Sequence, residues 1–253
     1  MTGASSGIGR ATALRLLAPA PGAGARVIAL GRDAGGLDEL VATARERGHP
    51  SDRIACIRGD LSDPADVDLA VQEAIAAFGH VDVLVNNAAQ GWAGPFAEQD
   101  ADGADYLVRV NLIAPIRLTR ALLPAMLERR RGAIVNVSSV AGHVGVKEEA
   151  VYVSTKAGLI GFSESLRYEL AGSGVTVGVV SPGVVQTAFF ERRGRLYDRR
   201  FPRPISSERV AETIVRAIRT GRPQLFVPRW MAFPARFRGT WPRMYRWLQG
   251  RLG

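Results

Sequence analysis

Short apolar runs alternate along this chain with longer stretches in which apolar residues recur every three or four positions. The short runs predict strands at Arg26–Leu30, Ile54–Arg58, Val81–Val85, Ala133–Val137, Val175–Val180 and Gln224–Val227. The longer stretches predict helices near Ile8–Leu17, Leu37–Arg47, Ala65–Phe78, Asp102–Arg130, Ala150–Leu170 and Ser207–Thr220. The strands are apolar nearly throughout, as expected of parallel strands whose two faces are both covered by helices. The fold class expected is therefore α/β, a doubly wound parallel sheet with helices on both faces. Pro19–Gly24, between a helix and a strand, reads as a loop.

A chain of 253 residues, 47% of them hydrophobic, is enough for one substantial core. The single cysteine, Cys56, excludes an intramolecular disulfide framework, and its apolar surroundings predict a buried, inert thiol. The first residues carry no signal-peptide pattern and no later run reads as long enough to cross a bilayer, so a reducing cytoplasm is the expected location. The net charge of +9 is unevenly placed: residues 1–188 hold 17 Lys and Arg against 20 Asp and Glu, whereas residues 189–253 hold 16 against 4. Such a tail can meet nucleic acid, anionic lipid or an acidic substrate, and for nucleic acid nothing beyond charge speaks.

Candidate chemistry begins at Gly3, Gly7 and Gly9, in Thr2-Gly-Ala-Ser-Ser-Gly-Ile-Gly9 just ahead of a helical pattern. Glycines let a backbone approach a pyrophosphate, and the helix start offers N–H groups and a positive dipole end, although a plain turn has the same composition. Tyr152 and Lys156, four apart, share one helix face, where a cation beside a phenol would lower its pKa toward the range useful for proton transfer. Taken alone, that pair also fits a solvated face. Ser139 lies 13 residues before Tyr152 at the end of a strand, where open α/β sheets bind ligands and where a hydroxyl can polarise a carbonyl oxygen.

With these residues in order, the chain resembles the short-chain dehydrogenase/reductase family in its single-domain branch, from Thr2 to about Pro228. The resemblance implies a Rossmann-like fold and a hydride exchange between a nicotinamide cofactor and a small-molecule carbonyl or alcohol. Thr2–Gly9 resembles the cofactor loop, which implicates Gly3, Ser5, Ser6, Gly7, Ile8 and Gly9. Asp60 and Leu61 resemble the pair at the adenine, Asn87 and Ala88 belong to the segment Asn86–Ala89 that steadies a central strand, and Pro182, Gly183, Val185 and Thr187 resemble the turn at the carboxamide. By the same resemblance Ser139 holds the substrate oxygen, Tyr152 passes the proton, and Lys156 lowers the phenol pKa and binds ribose. Asn111 matches a helix-kinking asparagine of a proton relay, with a satisfied helix amide as its plain alternative. Gly31 stands where NAD-preferring members carry an acid and Arg32 follows, so NADP(H) is the expected cofactor, with NAD(H) open through Asp33. The family also implies a homodimer or homotetramer, and no metal is called for.

Several features depart from the family pattern. Its members carry an apolar strand before the cofactor loop, yet Met1 directly precedes Thr2, so the first strand reads as missing or truncated. Either the natural start lies upstream or the chain is an impaired fragment, and a catalytically impaired nucleotide-binding or scaffold relative is the alternative function. Ala89 replaces a common glycine. Residues 1–228 are expected to form the catalytic domain and residues 229–253 a basic aromatic tail, split at Pro242 into two helices. Residues 222–253 contain seven Arg, no acid, and Trp230, Trp241 and Trp247. Such a segment can cover an apolar patch on its own domain or on a sister subunit, which is the favoured reading, or make a peripheral contact with an anionic membrane. Phe189–Pro204 occupies the region of the family's variable substrate lid, and its six Arg beside aromatic residues suit an apolar substrate with a negative group. His143 is expected to be a solvated loop residue, with substrate contact as the alternative.

Overall fold

A computed structural model describes residues 1–18 and 25–252, so the loop expected at Pro19–Gly24 lies outside the described residues. The strands are β1 (Val27–Gly31), β2 (Ile54–Arg58), β3 (Val83–Asn86), β4 (Gly132–Val137), β5 (Val175–Pro182) and β6 (Gln224–Val227). All pair in parallel, β1 with β2 in one sheet and β3-β4-β5-β6 in another. Met1 and Thr2 stand between the two sheets. Thr2 bridges Leu30 of β1, its N–H donates to Val85 O of β3 at 3.0 Å, and the Leu30 N–H donates to Met1 O at 2.9 Å.

Alternating side chains along each strand decide which layer it feeds. From β1, Val27 and Ala29 pack against α1 (Gly7–Leu17) and α2 (Ala34–Glu46), whereas Leu30 joins the opposite layer. That opposite layer is built on α3 (Pro64–Phe78), α5 (Ala114–Glu128) and α7 (Ala150–Glu169), with Met126, Ile134 and Val177 almost fully enclosed. Under β3 to β6 the other face is covered by α9 (Ser207–Thr220), whose Val210, Ile214 and Ala217 are buried. Ser206 caps its start by accepting from the Arg209 N–H, and Gly221 closes it in the left-handed conformation. A leucine as enclosed as Leu40 typically loses about 2–5 kcal/mol on truncation to alanine, so these layers fix where the strand ends lie.

Three expectations change. The helix expected over Asp102–Arg130 is α4 (Ala101–Val108), a π-helical turn (Arg109–Ile113) and then α5, with the extra residue per turn at Asn111. By length and composition Ala101–Glu128 could cross a membrane, contrary to the expectation that no run is long enough, but Leu107, Leu118, Leu122 and Met126 are spent on the core. Cys56 is exposed rather than buried, because β2 has only one paired edge. Burial of its surroundings and the nearby Asp38 carboxylate push its thiol pKa up, which keeps it a poor nucleophile.

After β6 the chain forms α10 (Ala232–Thr240) and α11 (Pro242–Leu252), and Pro242 divides them at the first position of the second helix. Tyr245 is buried and donates from its hydroxyl to Val144 O at 3.2 Å, and Arg238 donates to His143 O. One side of the tail thus covers its own domain, beside the short α6 (Ala141–Val144).

Candidate active site

The C-terminal ends of the strands open into a cavity of about 870 Å³. It brings together Gly3, Ser5, Ser6, Gly7, Ile8, Arg32, Asp60, Leu61, Asn87, Ala88, Ser139, Tyr152, Lys156, Pro182, Gly183, Val185 and Thr187. Of the catalytic and cofactor candidates named from the sequence, Gly9 and Asn111 are not among its lining residues. A β-carbon on Gly9 would lie 1.8 Å from Gly3 O, so glycine here is what lets the loop fold tightly onto the first turn of α1. Ser6, at the N-cap, makes no side-chain cap, and no acid occupies the first turn. The start of α1 therefore aims uncapped N–H groups and a positive dipole end into the cavity, a fit for a pyrophosphate.

Thr2 and Asn87 hold this loop against β3. The Thr2 hydroxyl accepts from the N–H groups of Asn87 and Ala88 at 2.9 and 3.0 Å, and the Asn87 amide donates to Thr2 O at 3.0 Å. Below them runs a buried ladder that sequence reasoning missed. Asn86 donates to Asn136, which donates to Ser163, each at 2.8 Å, tying β3, β4 and α7 together. Two asparagines inside otherwise apolar strands were the available signal, since buried amides need partners.

At the end of β1, Arg32 donates to Tyr106 and pairs with Asp60 at 3.5 Å. Partial burial pushes the Asp60 carboxyl up, but the Ser62 amide and hydroxyl and the Arg32 guanidinium together hold it below its ordinary range. Asp33 instead caps α2, accepting from the Gly36 N–H at 3.1 Å. A β-carbon on Gly31 would come within 3.2 Å of Ser5, leaving little room for the acidic side chain whose absence the sequence showed.

Tyr152 and Lys156 project from α7 with only 8% and 2% of their surfaces exposed. Lys156 donates to Val137 O at 3.0 Å, and Ser138 donates to Lys156 O at 2.9 Å, so α7 is clasped to the end of β4. The Ser139 hydroxyl accepts from the Ala141 N–H at 3.1 Å and lies near enough to the Tyr152 phenol to favour its ionised form. The expectation that Lys156 lowers the phenol pKa is not met in this geometry. Burial dominates and raises Tyr152 above its ordinary value, with the Ser139 hydroxyl working against it. The ammonium sits 5.8 Å from the ring centroid and is itself pushed down by burial to about 8. Asn111 accepts from Gln90 N and donates to Gln90 O, both at 2.8 Å, and contacts Thr155 at 3.2 Å. Its side-chain amide is thus hydrogen-bonded at both ends, set within the π-helical turn.

The outer wall comes from Phe189–Pro202 and, beyond what the sequence suggested, from Trp230, Met231, Pro234 and Tyr245. Phe189 packs on Tyr152 with ring centroids 5.5 Å apart. Arg193 pairs with Glu149 and Arg195 with Glu148, fastening this wall to the turn before α7. Those two cations are neutralised, so the expected affinity for a negative group contracts to Arg192 and Arg199, which line the cavity. His143 is neither a solvated residue nor part of the cavity lining: it is half-buried, bonded to Ser181 at 3.0 Å and Gln224 at 3.2 Å.

Comparison with known proteins places this geometry. The family model described as short chain dehydrogenase matches residues 1–196. A curated relative, dehydrogenase/reductase SDR family member 7B of Bos taurus, is 36% identical over 190 residues, 74% of this chain, and the match spans only 57% of that relative's length. A short-chain dehydrogenase from Sphingobium yanoikuyae, solved in complex with NADPH, is 29% identical with a TM-score of 0.80, covering 96% of this chain and 94% of that one. A short-chain dehydrogenase/reductase from Burkholderia phymatum, solved in complex with NAD, is 25% identical with a TM-score of 0.84, covering 94% and 91%.

Proposed function

Because this chain belongs to the short-chain dehydrogenase family, we propose that it is an NADP(H)-dependent oxidoreductase interconverting a carbonyl and an alcohol at Ser139, Tyr152 and Lys156. The observation that carries this reading is that these three side chains and the glycine loop line one cavity. When bound, the nicotinamide supplies or accepts the hydride at the substrate carbon. Ser139 donates a hydrogen bond to the substrate oxygen and so holds it beside the Tyr152 hydroxyl. Tyr152 delivers the proton in reduction and takes it back in oxidation. Burial raises its pKa, so the phenol carries its proton at neutral pH but is a weaker acid than a free tyrosine. Lys156 anchors the end of β4 through Val137 O, and its ammonium would hold the ribose hydroxyls of a bound cofactor.

Arg32 carries the cofactor preference. Its guanidinium, half-exposed at the cavity beside Asp60, is a fork for the 2′-phosphate, whereas Asp33, which also lines the cavity, spends one carboxylate oxygen on capping α2. Asn111 stabilises the loop at Gln90 from within the π-helical turn, and its part in a proton relay belongs to the same reading. Assembly as a homodimer or homotetramer belongs to the same reading.

The test is NADPH consumption at 340 nm across a panel of aliphatic and aromatic ketones and aldehydes, with Tyr152→Phe beside the wild type. Loss of a proton donor lowers turnover by about 10²–10⁴-fold, while NADPH binding, read by tryptophan fluorescence, stays. Wild-type turnover in the Tyr152→Phe protein would overturn the assignment.

A further inference from the structure

The tail that closes the cavity also carries an uncovered aromatic surface. Phe201, Trp230, Phe233, Trp241 and Met244 keep 44–70% of their surfaces exposed, although aromatic residues of this size are ordinarily buried. Their ring contacts fall in two clusters: Phe201 stacks on Trp230 at 5.2 Å, and Phe233 stacks on Phe237, which meets the buried Tyr245. Phe201 and Trp230 also line the cavity, so its mouth opens beside the first cluster. Exposed arginines flank each aromatic residue in sequence: Arg199, Arg200 and Arg203 beside Phe201, Arg229 beside Trp230, Arg236 near Phe233, and Arg243 and Arg246 around Met244. No Asp or Glu follows Glu212.

We propose that this face docks on an anionic bilayer, with the aromatic side chains entering the interface and the arginines meeting lipid phosphates. Charge selects the occupant. A second copy of this chain on the same patch would bring the patch against itself, as two-fold contacts do, and so oppose arginine to arginine with the exposed Asp198 as the acid nearest Phe201 in sequence, outnumbered by the arginines around it. An anionic leaflet offers the opposite charge together with an apolar layer at a depth that aromatic rings reach. Resting on the oxidoreductase reading, docking would place the cavity mouth at the lipid surface, where apolar carbonyl compounds concentrate.

The experiment uses the full chain with vesicles of phosphatidylcholine alone or with 30% phosphatidylglycerol, sedimented over a lipid titration (about that composition gives the surface charge of a cytoplasmic leaflet). NADPH binding is read by fluorescence in the same samples, so a failed cofactor site and a failed docking surface are told apart. The expected half-saturating lipid is about tenfold lower for the anionic vesicles. Phe233→Ser with Trp241→Ser is expected to abolish sedimentation with NADPH binding unchanged, and Arg243→Gln with Arg246→Gln to remove the preference for anionic lipid. Absence of sedimentation with either vesicle, by a chain that binds NADPH, overturns the proposal. So does light scattering that shows a dimer dissociated by the Phe233→Ser, Trp241→Ser pair, since the patch would then be covered by a second copy.

Discussion

Replacing Lys156 with methionine isolates the energetic burden of the site. The ammonium is 2% exposed, and burial moves its pKa from 10.5 to about 8. The unfolded chain keeps the proton up to about 10.5 while the folded chain releases it near 8, so the unfolded state binds more protons between those values. Wild-type stability should therefore rise with pH across that window. The linkage relation puts the burden at about 3 kcal/mol at pH 7 and about 1 kcal/mol at pH 10. Methionine fills a similar volume without a charge, but it forfeits the bond to Val137 O, a loss of about 0.5–1.5 kcal/mol for the neutral amine to which the burden is referred. At pH 7 the variant should therefore be the more stable protein, and at pH 10 the two should be nearly equal. Urea denaturation of both proteins at the two pH values measures the difference, in which the lost hydrogen bond and all other titrating groups largely drop out. The stability gap should move by about 2–3 kcal/mol in favour of the wild type on going from pH 7 to pH 10. A gap that stays constant would mean that Lys156 folds without an uncompensated charge, and the argument from burial would be wrong.

Other outcomes follow from the cofactor end of the cavity. Arg32→Ala should weaken NADPH binding by about tenfold or more and leave NADH binding nearly unchanged, because only NADPH presents a phosphate to the lost fork; equal weakening in parallel titrations refutes the role. Asp33→Ala should lower stability by about 1 kcal/mol through loss of the α2 cap, with the NADPH to NADH affinity ratio preserved; a gain in that ratio would instead make Asp33 a ribose ligand. Gly9→Ala should abolish the rise in melting temperature on adding NADPH, since its β-carbon would stand 1.8 Å from Gly3 O; a retained shift would show that the loop does not cradle the cofactor.

Strand positions were legible because their apolar runs are short and uninterrupted: Ile54–Arg58 and Gln224–Val227 fall where the pattern placed them. The glycine loop, Ser139, Tyr152 and Lys156 were legible because their chemistry needs fixed residue types at fixed spacings. What escaped was long-range. The neutralisation of Arg193 and Arg195 by Glu149 and Glu148 joins residues more than forty positions apart, and no local pattern announces it. The exposure of Cys56 depends on β2 having one neighbour, a property of sheet order rather than of composition. The sign of the Tyr152 shift was likewise hidden, because a four-residue spacing brings the cation near but says nothing of how dry the phenol is.

The order of the cavity walls along the chain has an evolutionary side. The residues assigned to cofactor and proton transfer lie at or before Thr187, and the outer wall is drawn largely from Phe189–Pro202 and Trp230–Tyr245. A recombination point just after Thr187 would therefore exchange the substrate walls in one block and leave the reaction centre intact. Chimeras joined there, with the Glu148 and Glu149 partners preserved, offer a route by which such a scaffold acquires new substrates without relearning its chemistry.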